Sequence, residues 1–380
     1  MKSLVSMPEK HLHIVSFTIP FPPDYGGVID VYYKIRTLHK LGVKIHLHCF
    51  EYDRKPAAEL TELCESVTYY KRKTGLRFTL GRIPYIVLSR RSEQLIHNLL
   101  KDEFPILFEG LHTCYYLNDP RLKGRKKIYR ESNIEHHYYF SLYKAEKNWI
   151  RKIYFLLASV KLKHYERILG HADLMLAVSQ KDEEYLHEQF PEVPVRYLPS
   201  FHSNSEVTCR AGKGTYCLYH GNLSVAENSV AAAFLIREVF PQLGIDLKIA
   251  GHHPPRYLKR LVRNNSNIQI IESPSDEELH QLIVDAHVNI LVTFQATGLK
   301  LKLLNTLFAG RFILVNNAML NGTGLNELCI IADSPEELRK ELVRLSEERF
   351  EEHEISRRRS LLSINYSNPE NAERLVEYIF

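Results

Sequence analysis

Residues 11–50 read HLHIVSFTIPFPPDYGGVIDVYYKIRTLHKLGVKIHLHCF, and this stretch decides the fold class. His11 to Phe17 is a short apolar run ending in the Pro- and Gly-rich loop Pro20 to Gly27, the pattern of a buried strand. Val28 to Leu41 then carries apolar residues at helical spacing and stops at Gly42, a residue free to take the left-handed turn that ends a helix. Lys44 to Phe50 (KIHLHCF) is a second strand. Two strands joined through a helix run parallel, because the crossover brings the chain back to the same end of the sheet.

Working outward, Ile106 to Phe108, Lys127 to Tyr129 and Ala172 to Val178 (ADLMLAV) continue the series as short strands. Between them, Tyr143 to Leu169 is long, basic and helical, with Trp149 and many aromatics; aromatics at helical spacing predict a core-facing stripe. Pro191 to Gly214 is rich in Pro, Ser, Asn and Gly and breaks the rhythm. A linker over residues 196–214 therefore separates a first domain, 1–195, from a second, 215–364. The second series has strands at Tyr216–Tyr219, Asp246–Ala250, Ile268–Ile271, Val288–Thr293 and Phe312–Val315. Helices are predicted at about Ser229–Val239, Tyr257–Arg263, after the Ser275/Glu278 capping box, and at Leu301–Phe308. A last amphipathic helix in residues 365–380, opened by Asn368-Pro-Glu, is expected to pack back on the first domain. The fold class is α/β, with two Rossmann-like, doubly wound parallel-sheet domains facing an interdomain cleft.

The length of 380 residues suits two such domains, and the 44% hydrophobic and 25% charged fractions exclude disorder. No window of about 18 uninterrupted apolar residues predicts a membrane span. The first ten residues lack a signal-peptide pattern, and the six cysteines are scattered without a C-x-x-C pair. Reduced thiols, no metal and a cytoplasmic location are expected. Residues 1–180 hold 29 Lys+Arg against 18 Asp+Glu, while the remaining 21 and 27 give the second part a negative balance. The basic first part could face solvent, an anionic acceptor or the inner face of an anionic membrane. No nucleic-acid module accompanies the charge, so no nucleic-acid partner is expected.

Several catalytic signatures are absent: no G-x-G-x-x-G follows the first strand, and there is no P-loop, G-x-S-x-G, H-E-x-x-H or D-x-D. What is present sits at strand ends. Gly26-Gly27 precedes a helix, where backbone N–H groups can approach an anion. Thr297-Gly298-Leu299-Lys300-Leu301-Lys302 again lies between a strand and a helix; lysines in a first turn oppose the helix dipole, which favours an anion-binding role.

Taken in order, these pieces resemble the family-4 glycosyltransferases, the glycosyl transferases group 1 of GT-B architecture. The residues carrying the resemblance are Gly26-Gly27, Ala177-Val178-Ser179, Gly221-Asn222, Ile249-Ala250-Gly251 and the block from Thr297 to Gly310. The resemblance implies a retaining transfer from a nucleotide-diphosphate sugar, a co-substrate and not a bound cofactor, to a glycan or lipid-linked acceptor. It places the donor on Gly26, Gly27, Gly221, Asn222, Gly251, Thr297, Gly298, Leu299, Lys300 and Asn305, with Lys302 meeting the departing diphosphate. His112, in Glu109-Gly-Leu-His112, is the acceptor-facing histidine, and Asn133, Glu135 and His136 form the acceptor loop. The family's two glutamates fall on Thr297 and Asn305, so neither carboxylate is kept. Replacing a charged ribose contact by a neutral one costs on the order of 1–2 kcal/mol of donor binding. The loop 222–228 also lacks the family's cations. These departures favour a second reading, a non-catalytic homologue serving as a binding or scaffold partner. A nucleotide-sugar epimerase would need the dinucleotide motif that is missing.

Overall fold

The computed structural model describes residues 9–75, 81–146, 148–263, 265–294 and 301–380. Within these, the chain forms two compact units, one holding the residues up to Ser203 together with Tyr366–Phe380, the other running from Asn204 to Asn365.

The first unit is built on seven strands: β1 His11–Ser16, β2 Lys44–Glu51, β3 Ser66–Lys71, β4 Ile106–Glu109, β5 Lys127–Arg130, β6 Leu174–Ala177 and β7 Val195–Tyr197. Their spatial order is β3-β2-β1-β4-β5-β6-β7, all neighbours parallel. The second has β8 Cys217–His220, β9 Leu247–Gly251, β10 Ile268–Glu272, β11 Val288–Leu291, β12 Phe312–Val315 and β13 Ile330–Ile331, ordered β10-β9-β8-β11-β12-β13 and again parallel throughout. Strands β4, β6, β8 and β11 are buried at every position, which is why they read as continuous apolar runs. In both sheets the order reverses beside the first strand of the unit. The carboxyl ends of β1 and β4, and of β8 and β11, are therefore the places where such sheets receive ligands.

The helix after β1 spans Gly26–Lys40 and ends as expected: Gly42 has φ 79°, and Val43 N–H donates to Leu38 O at 3.1 Å. The Asn368–Ile379 helix belongs to the first unit, where Ala372, Leu375 and Ile379 join the core formed by Val31, Ile35 and Leu38.

Two expectations are corrected. The 143–169 segment is not one helix: Glu135–Ala145 ends first, and the Asn148 side chain caps a second helix, Trp149–Tyr165, by accepting from Ile150 and Arg151 N–H. Nor is its stripe core, because Trp149, Ile150, Ile153, Tyr154, Leu157 and Val160 are all exposed. The face turned inward is the one bearing Ser159 and Leu162.

A buried charge network underlies the first unit. Lys34, fully buried, donates to Asp30 at 3.0 Å and to Glu109 at 2.7 Å. Arg130 contacts Asp30 at 3.4 Å and donates to Pro199 O, and Phe201 N–H donates to Asp30 at 2.7 Å. Two cations and two carboxylates thus satisfy each other in a buried site. Lys34→Ala is expected to destabilise this unit by about 3–5 kcal/mol in urea unfolding, because it takes the ammonium partner from the buried Glu109 carboxylate and leaves Asp30 to Arg130 and the Phe201 N–H alone. Lys259→Ala, which breaks an exposed 2.6 Å pair with Glu272, is expected to cost under about 1 kcal/mol.

Candidate functional site

In the first unit the polar groups gather where β1 and β4 end. Gly110 follows β4 with φ 73°, and a Cβ there would stand 3.1 Å from His112 Nδ1 and 3.3 Å from Ser132 Oγ. Glycine is needed both for the conformation and for the close approach. His112 is the second residue of the short 3-10 turn Leu111–Tyr116, its ring 5.6 Å from that of Phe17 in the loop after β1. Phe17 in turn packs on Gly27, where a Cβ would meet the ring at 2.8 Å. The predicted Gly26-Gly27 turn and the predicted His112 are therefore brought to one place.

Behind His112 lies Glu135, the first residue of the Glu135–Ala145 helix, with its Oε1 3.6 Å from His112 Nδ1. Glu135 is only 4% exposed, so it backs the imidazole instead of facing a ligand itself. Burial pushes its carboxyl up to about 8, with Arg90 opposing the rise. Burial also holds the His112 imidazole well below its usual range, helped by the charges of Arg90 and Arg72. At neutral pH a neutral imidazole thus stands against a largely protonated carboxyl. Arg90 is buried too, donating through Nε to Phe17 O at 2.7 Å. The Arg90-Arg91 pair reads in sequence as a surface cluster, and nothing in its spacing marks Arg90 as internal.

The other acceptor candidates part company. His136 turns toward Glu166, 3.4 Å away, and its ring lies tilted against those of His137 and Tyr185. It does not join His112. Asn133 is half-buried in the loop between β5 and the following helix. Glu131, just after β5, is fully buried; one oxygen accepts from Val178 N–H at 3.2 Å and the other has no partner, so burial drives its carboxyl well above the usual range.

In the second unit Gly221 and Asn222 follow β8, and the Asn222 side chain accepts from Ser224 N–H at 3.0 Å to hold the turn. Gly251 ends β9, where a Cβ would fall 1.9 Å from Gly221 O; it is a packing glycine. Lys302, near the start of the Leu301–Ala309 helix, donates to Asn228 Oδ1 at 3.0 Å, and its ammonium lies 5.4 Å from the Tyr219 ring centroid. Asn228 in turn donates to Asn222 O at 3.0 Å. Lys302 and the Gly221-Asn222 loop, distant in sequence, thus meet at the end of β8. The Lys302 charge adds to burial in holding His220 down to about 3, while His220 bonds Thr306 at 2.8 Å. Asn305, the expected ribose contact, accepts from Asn204 at 2.8 Å. Thr297, Gly298, Leu299 and Lys300 lie outside the described residues.

No protein-family model matches the chain. It is 24% identical over 356 residues, covering 88% of this chain and 90% of the other, to a Klebsiella pneumoniae protein described as an uncharacterized 44.6 kDa protein in the cps region. Among solved structures, sucrose-phosphate synthase from Thermosynechococcus elongatus is similar with a TM-score of 0.69 at 12% identity, over 97% of this chain and 98% of that one. Anabaena HepE, solved in complex with UDP and glucose, gives 0.65 at 9% identity over 97% and 99%. At these identities the likeness speaks for architecture, and together with the two sheets it shows the chain to have the two-domain, Rossmann-like GT-B fold.

The His112–Glu135 pair carries a pH signature. Above about pH 6.5 an unfolded histidine is neutral like His112 in the fold. Glu135 binds its proton more tightly folded than unfolded, so its contribution to stability is present in acid and is lost as pH rises toward 8. Urea titrations of the parent chain between pH 6.5 and 8 are expected to show a fall in stability that Glu135→Gln makes shallower, the buried Glu131 carboxyl contributing the rest. Parallel curves for the two proteins would contradict the assignment.

Proposed function

We propose that this chain is a glycosyltransferase that moves a sugar from a nucleotide-diphosphate donor to a hydroxyl acceptor. The observation that carries the reading is the convergence of the Lys302 ammonium with the Gly221-Asn222 loop at the end of β8, in a fold shared with HepE, which was solved with UDP and glucose. A cation and backbone amides at a strand's carboxyl end suit a departing diphosphate, and Lys302 is assigned to stabilise its developing charge. By sequence, Thr297, Gly298, Leu299 and Lys300 are assigned to the same donor, and Asn305 to the ribose, for which it would exchange its bond to Asn204. By the resemblance Gly26 and Gly27 are assigned to the donor as well; they open a fifteen-residue helix with no side-chain cap and no acid in its first turn, which leaves N–H groups able to meet an anion. The proposal requires no metal ion.

In the first unit His112 is assigned to the acceptor hydroxyl, accepting its proton or orienting it, with the Glu135 carboxyl 3.6 Å behind its Nδ1 and not hydrogen-bonded to it. Retention of anomeric configuration follows from the resemblance in the sequence. A role in polysaccharide assembly is supported by the cps-region relative. The uncharged loop 222–226 and the occupied Asn305 amide favour the second reading, a non-catalytic partner protein.

Calorimetric titration with UDP-sugars, paired with a transfer assay, separates the two. The transferase reading predicts saturable donor binding that Lys302→Ala weakens about 10–100-fold, the worth of one charge-assisted hydrogen bond. Absence of affinity for any nucleotide sugar supports the partner reading.

A further inference from the structure

The Trp149–Tyr165 helix has two apolar faces where a surface helix needs one. Leu162 is buried in the core of the first unit. On the other side Trp149, Ile150, Ile153, Tyr154, Leu157 and Val160 are exposed, Trp149 to 68% and Leu157 to 57%. At about 100° per residue these six side chains fall within an arc of about 140°, opposite the buried face. The Glu135–Ala145 helix packed against it adds exposed Tyr138 and Phe140. Ile150, Ile153, Tyr154 and Leu157 of the stripe line, with Tyr85 and Tyr139, an apolar groove of about 360 Å³ that has Lys161 on its wall. A water-facing apolar surface of this extent marks a contact site.

The charges say what covers it. The segment 149–165 contains no Asp or Glu. Arg151 is exposed on it, Lys152 lies over the Tyr143 ring at 5.1 Å, and Lys144 over Phe140 at 4.7 Å. Aromatic and aliphatic side chains bordered by cations complement the headgroup and upper acyl region of an anionic bilayer. A second copy of the chain paired through the same face would bring these cations against their own kind. None of the helices in the described residues is long and apolar enough to cross a membrane, so the contact is one of lying on the surface.

We propose that the helical hairpin 135–165 docks the first unit on the surface of a bilayer containing anionic phospholipid, with the Trp149–Val160 stripe entering the interface. This stands apart from the glycosyl-transfer reading and would hold in a chain without activity.

Trp149 is the single tryptophan of the chain, so its fluorescence reports on one end of the stripe. The full chain is titrated with phosphatidylcholine vesicles, with and without phosphatidylglycerol, and the same samples are floated. Docking predicts a blue shift of Trp149 emission and flotation with the anionic vesicles only. Arg151→Gln with Lys152→Gln is expected to lower partitioning on the order of tenfold or more. Ile153→Ser with Leu157→Ser abolishes it, and since both side chains are exposed the thermal melt should stay in place. No shift and no flotation with anionic vesicles overturns the proposal, as does undiminished flotation of the serine variant. A blue shift that grows with protein concentration in the absence of lipid also overturns it, by assigning the stripe to a second copy.

Discussion

The ammonium of Lys34, sealed between Asp30 and Glu109, is the contact on which the geometry of the first unit rests. It ties the helix that begins at Gly26-Gly27 to the last residue of β4, immediately before Gly110 and His112. Arg130, at the end of β5, closes the arrangement by holding Asp30 and the carbonyls of Leu198 and Pro199. Charges in such a place are tolerated only when each is matched, so the four groups stand or fall together. The turn after β1, the histidine after β4 and the chain leaving β7 are thereby held at fixed distances by electrostatics in a buried setting.

The second unit reaches a similar layout by another route. Its loops are positioned by neutral amides and by the absence of side chains: Gly251 lets the β9 end press on Gly221 O, and Gly310 leaves room for the Asn289 amide. Asn222, Asn228 and Lys302 then form a chain of hydrogen bonds that delivers one cation to the end of β8. A charged network suits a site that must hold a protonation state, such as His112 against Glu135. An amide-held turn suits one that presents backbone groups and a single positive charge to an anion.

The central strands and the helix between β1 and β2 were legible because a parallel strand buried on both faces leaves an unbroken apolar run, and because Gly42 marks the helix end. Of the edge strands β10 was legible as Ile268–Ile271, but the other three were not: β3 reads SVTYYK, β7 has three residues and β13 two, too short or too polar for a period to show. His112 became a candidate through the resemblance and its position after a strand. The partnership with Glu135, twenty-three residues on, did not show, since it depends on how the next helix turns back. The same neighbourhood split Glu135 from His136, because adjacent positions on a helix point about 100° apart. Arg90 looked like surface because its identity says nothing of burial. The Trp149 stripe shows the opposite error: helical periodicity reports that a face is apolar but not whether this chain covers it.

The central claim is that Lys302 and the loop after β8 receive a pyrophosphate. A crystal structure of the chain soaked with UDP-glucose tests it most directly. Phosphate oxygens are then expected within hydrogen-bonding distance of Lys302 Nζ and of the backbone at Gly221-Asn222. Nucleotide bound elsewhere, with the Lys302–Asn228 bond undisturbed, would contradict it.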